Sequence, residues 1–158
     1  MIRLLPLLLL AVPVVSQTAA PFEVEEATIS RVHDAMKAGR LTCRALVDQY
    51  LKRIEAYDKN GPAINAIVLV NPEVEKQADE LDARFAQSGL SGPLHCVPMI
   101  VKDNFETKGL RTTNGALALA KFVPDKDAFE VKRVKDAGAL VLAKSNMAEW
   151  ALDRKSVV

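Results

Sequence analysis

Several kinds of site are absent from this chain. No CxxC, HExxH or paired-histidine motif occurs, and His33 and His95 stand too far apart in sequence to suggest a metal centre. No run of Lys or Arg interleaved with aromatics appears, and the net charge is only +1, so neither nucleic acid nor an anionic membrane is an expected partner. Two cysteines, Cys43 and Cys96, fall far below the density of a disulfide scaffold. They could pair in an oxidising compartment, but one lies early in an expected helix and the other just before an expected strand, so each is read first as a small buried hydrophobe. Repeats, low-complexity tracts and internal linkers are lacking.

What is present suits one ordinary domain. The chain has 158 residues, 49% of them hydrophobic and 26% charged, a balance that can bury a core. Residues 1–20 differ in kind: Arg3 is a positive n-region, residues 4–15 are apolar, and Thr18, Ala19 and Ala20 are small. That pattern reads as a secretory signal peptide, and Pro6 and Pro13 weigh against a membrane-spanning helix. The expected location is periplasmic or extracellular. At the other end, residues 153–158, DRKSVV, match in translation the start of a common sequencing adapter, so they read either as a non-native tail or as an authentic short polar C-terminus.

Between these ends the elements can be placed from caps and periodicity. Thr28 caps a first helix ended by Gly39, and Thr42 caps a second whose stripe is Leu46, Val47, Tyr50, Leu51 and Ile54. Residues 64–70 read as a strand. Asn71 and Pro72 then supply an N-cap and a first-position proline for a helix reaching Ser88 before Gly89. Val97, Met99, Ile100 and Val101 form a second, buried strand, residues 127–137 a further helix stopped by Gly138, and residues 139–143 a third strand. Such alternation predicts α/β architecture, with crossover lengths that suit parallel strands.

Lys102 follows directly on the apolar 97–101 run. A lysine emerging from a dry strand end is disfavoured as an ammonium and becomes available as a neutral general base; one that snorkels to solvent does neither. Asp103 and Asn104 would orient it or form the turn. Thr112, Thr113, Asn114 and Gly115 would shape a pocket floor or make a structural turn. Asn146 and Met147 lie beyond the third strand, where α/β folds place ligand loops, although Asn146 could instead cap the helix carrying Glu149 and Trp150. Trp150 is read as core or interface packing.

GPLHCVPMIVKDN, then TTNGALALA, then DAGALVLAKSNMAEWA, in that order and spacing, resemble the N-terminal part of the amidase signature family of serine hydrolases. The resemblance implies the N-terminal portion of an α/β/α fold with a mixed, partly parallel sheet preceded by a helical hairpin, occupying residues 21–152. It also implies a Ser–cis-Ser–Lys triad that hydrolyses carboxamides through an acyl-enzyme, with Lys102 matching the catalytic lysine. Oxyanion donors would come from a Gly/Ser-rich turn. Cys96 stands where the family often has glycine, and Ala116 where it often has serine. The Gly/Ser-rich segment that carries both serines has no counterpart here: no GSS-type motif is present, and Ser145 and Ser156 are isolated. The expectation is therefore an inactive N-terminal piece of an exported amidase acting on a small-molecule or peptide amide, with no metal or organic cofactor. A noncatalytic secreted binding protein and a protein resembling the amidase-like subunit of an amidotransferase are the alternatives.

Overall fold

The computed structural model describes residues 22–152, so the expected leader and tail lie outside the described residues. Both hairpin helices form where their caps predict. Thr28 Oγ1 accepts from Arg31 N–H (3.2 Å) to open α1 (Ile29–Lys37), and Thr42 Oγ1 accepts from Ala45 N–H (3.0 Å) to open α2 (Cys43–Arg53). Gly39 follows α1 in the left-handed region, φ 65°.

α2 runs on into a π-helical turn, Ile54–Lys59, whose Asp58 is buried. Tyr57 and Asp58 carbonyls accept from the N–H groups of Ile64 and Asn65, and Asp58 Oδ1 accepts from Ala66 (2.6 Å) and Ile67 (3.2 Å). The backbone of residues 64–66 is thereby committed to the turn, with Asn65 at φ 53°, and the strand starts later than its apolar run predicts. β1 is Ile67–Val70. Asn71 does not cap the next helix directly. Its Oδ1 accepts from Glu73 N–H and its Nδ2 donates to Val141 O, and α3 (Val74–Ser88) begins one turn on, ending before Gly89 as expected.

β2 is Pro98–Lys102, α4 is Phe129–Asp136 and β3 is Leu140–Ser145. Asp127, expected within the fourth helix, lies before it and accepts from Lys108 N–H and Lys135. The sheet order is β1-β3-β2, with β2 parallel to β3 and β1 antiparallel to it, which makes it the mixed, partly parallel sheet expected. α1, α2 and α3 bury Val32, Met36, Leu46, Val47, Val74 and Leu81 against Leu140 and Leu142, while Val131 of α4 packs on Val101 and Val141. Alternating β3 residues thus serve opposite layers.

The register slips at one place that matters. Met99 pairs with Val141 but Ile100 with Ala143, leaving Leu142 as an extra residue on β3. This bulge reverses the alternation, so Ala143 joins the core beneath α1–α3 and Lys144, paired with Val101, turns to the α4 side.

Cys43 and Cys96 are disulfide-bonded, contrary to the expectation of two separate thiols. Their Cα atoms are 5.6 Å apart and both residues are wholly buried. Asp82 of α3 accepts from the N–H groups of Cys43 (2.6 Å) and Arg44 (2.9 Å), tying the start of α2 to α3, while the disulfide ties it to the turn that precedes β2. Sequence spacing does not report such a meeting, because it is made by packing across three helices.

Candidate functional site

β2 delivers Lys102 to the end of the sheet, opposite Ser145, and the chain then turns: Phe105 N–H donates to Lys102 O (3.0 Å). The Lys102 side chain is exposed. The expected burial is not met because β2 is an edge strand whose Ile100 is itself 51% exposed, so water reaches the strand from its open side. Lys102 borders an apolar groove of about 300 Å³, lined also by Met99, Phe105, Val131 and Val134.

Behind it lies a buried polar network. Asp103 is 3% exposed, and its N–H donates to Ser145 O while its carbonyl accepts from Asn114 N–H, each at 3.0 Å. Its Oδ2 accepts from Thr113 N–H (3.1 Å) and from the Thr113 hydroxyl. Lys144 is fully buried. Its Nζ donates to Phe105 O (2.6 Å) and Thr112 Oγ1 (2.8 Å) and lies 3.8 Å from Asp103 Oδ1. Burial pushes the Lys144 ammonium below the ordinary lysine range, with the Asp103 carboxylate acting against that shift.

The sequence does not single out Lys144, although it too ends an unbroken apolar run, Ala139 to Ala143. The desolvated environment expected for Lys102 is found around Lys144 instead. The signal is legible; its assignment depends on the bulge.

The remaining expected residues gather round the same end of the sheet. Thr113, Asn114 and Gly115 form a turn in which Gly115, at φ 69°, approaches Met147 so closely that a Cβ would sit 2.7 Å from its carbonyl oxygen. Asn114 O accepts from Trp150 N–H (3.0 Å). Asn146 does not cap the following helix. Its Nδ2 donates to Asn65 O (2.9 Å) and its N–H to Ala66 O (2.8 Å), and a 3-10 turn, Glu149–Ala151, follows with Ala148 at its N-cap. Trp150 is 48% exposed rather than packed in the core, and Asn104 is exposed in its turn. Among the described residues no cluster of three or more His, Cys, Asp or Glu side chains could hold a metal ion.

An α/β layer that presents a lysine, a Thr-Thr-Asn-Gly turn and the Ser145–Met147 loop at one end of a parallel strand pair matches known hydrolases. The family model described as Amidase covers residues 45–157, and the chain belongs to that family. The native peptide amidase from Stenotrophomonas maltophilia is 42% identical, with a TM-score of 0.76 over 79% of this chain and 26% of that one. An amidase family protein from Bacillus anthracis is 34% identical, with a TM-score of 0.73 over 78% of this chain and 25% of its own. A glutamyl-tRNA(Gln) amidotransferase subunit of Halorhodospira halophila is 39% identical over 130 residues, 82% of this chain and 26% of that protein. The chain spans about a quarter of the length of the curated relatives it matches, 22% of one and 26% of another.

Proposed function

We propose that this chain is the N-terminal part of an exported amidase in which Lys102 is the general base of a Ser–cis-Ser–Lys mechanism. The observation that carries the reading is the placement of Lys102 at the end of β2 within motifs shared with the amidase family. In this scheme the Lys102 amine takes a proton from a bridging serine, which in turn takes one from the nucleophilic serine as that oxygen attacks the carboxamide carbon. The Lys102 ammonium returns that proton through the bridging serine to the leaving amine, which departs to give an acyl-enzyme, and water hydrolyses the acyl-enzyme. Both serines and the oxyanion donors belong to a Gly/Ser-rich segment for which the relatives' greater length leaves room. The substrate is a small-molecule or peptide carboxamide, a class supported by the 42% identity to a peptide amidase. No metal or organic cofactor takes part in this scheme. Identity to a glutamyl-tRNA(Gln) amidotransferase subunit supports a second reading, in which the protein is one component of a larger assembly; the secretory pattern of residues 1–20 favours the exported enzyme.

Steady-state hydrolysis of a peptide amide by the full-length gene product, with and without Lys102→Ala, tests this. Turnover abolished by the substitution is expected, together with none from the 158-residue chain alone. Lys102-dependent turnover by the short chain would refute the assignment of both serines to a downstream segment.

A further inference from the structure

We propose that the buried Lys144–Asp103 pair is a positioning device for Lys102, holding the two turns that flank the catalytic lysine; this rests on the amidase reading above. Four features carry it. First, Lys144 is the only lysine among the described residues that is fully buried, and its ammonium reaches across from β3 rather than to solvent. Second, its acceptors come from two segments beside Lys102: Phe105 O belongs to the turn after it, and Thr112 Oγ1 to the Thr-Thr-Asn-Gly turn.

Third, Asp103, the immediate neighbour of Lys102, is held by Ser145, Thr113 and Asn114. Its Oδ1 is buried with no hydrogen bond among the described residues, and its compensation is the Lys144 charge 3.8 Å away. Fourth, the β3 bulge is what aims Lys144 inward, and bulges commonly re-aim side chains beside active sites. A methionine would fill the same volume without the cost of a buried ammonium. What the charge adds is direction: Phe105 O and Asp103 Oδ1 from the turn after Lys102 and Thr112 Oγ1 from the Thr-Thr-Asn-Gly turn converge on one nitrogen, so the backbone emerging at Lys102 is fixed relative to that second turn.

The test uses the full-length gene product hydrolysing a peptide amide, with Lys102→Ala as reference. Lys144→Met and Thr113→Val should lower kcat by about tenfold to a hundredfold while KM stays within about twofold, because misplacement of a catalytic group acts on the chemical step. Thr113→Ser, which keeps the hydroxyl that donates to Asp103, should recover most of the loss. If Lys144→Met does not fold, the nearly isosteric Thr113→Val carries the comparison. A folded Thr113→Val enzyme with wild-type kcat, or a loss confined to KM, overturns the positioning role while an inactive Lys102→Ala enzyme leaves the amidase reading standing. Full turnover by Lys102→Ala overturns both.

Discussion

The Cys43–Cys96 bridge allows a stability prediction whose size can be worked from the chain. The two residues are 53 apart in sequence, and closing a loop of that length removes unfolded-state entropy worth about 4 kcal/mol in the chain-entropy model. Cys96 adopts φ 56°, a conformation that costs an L-residue roughly 1 to 2 kcal/mol and glycine almost nothing. Cys43→Ala loses the cross-link and keeps that strain. Cys96→Gly loses the cross-link and relieves it, so it should be the milder substitution by about 1 kcal/mol. With a urea dependence near 2 kcal/mol per molar, the midpoint for Cys43→Ala should fall by about 2 M. Pulse proteolysis in urea at low protein concentration, with and without a phosphine reductant, reads this without requiring a concentrated sample. Non-reducing peptide mass spectrometry of the purified chain should show the linked pair. Equal midpoints for oxidised and reduced chain, or Cys43→Ala more stable than Cys96→Gly, would refute the reasoning.

Two further perturbations follow from the described contacts. Burial pushes the Asp58 carboxyl up, but the Lys59 ammonium and the Ala66 and Ile67 amides outweigh it and hold the group below its ordinary value of 3.8. Its folded-state value being depressed, the unfolded chain binds the proton more readily, so Asp58 adds stability above pH 3.8 that is lost as pH falls through the folded-state value. Asp58→Asn should destabilise the chain by about 2 kcal/mol at neutral pH, and the gap should narrow in acid; a pH-independent gap in urea midpoints would contradict this. Gly115→Ala places a Cβ against the Met147 carbonyl at a left-handed position, costing about 2 kcal/mol or more. Hydrogen exchange should rise in residues 112–115 and 146–150 together, and unchanged protection there would show that the two loops do not depend on each other.

The legible parts of the fold are those set by neighbours in sequence. Thr28, Thr42, Gly39, Gly89 and Gly138 mark helix boundaries because capping and left-handed stops act within one turn. Even so, local signals misplace two starts: residues 64–66 are claimed by the π-helical turn and its Asp58, and Asn71 bonds to β3 rather than opening α3 directly. At the site, Lys102, Asp103, Thr113 and Gly115 are legible and do gather at one end of the sheet, whereas Asn146 proves to be a tether to the loop before β1.

By itself the sequence determined the order of helices and strands, the motifs that mark an amidase, and a lysine at the end of an apolar strand. Tertiary structure alone decided which lysine is dry, which cysteines meet and which way β1 runs. The physical reason is range. Periodicity and capping act over a few residues, while the pairing of Cys43 with Cys96 and the ladder of β1 on β3 join segments more than fifty residues apart. One extra residue at Leu142 then reverses the β3 alternation, burying Lys144 behind the site while Lys102, on the open edge strand, faces water.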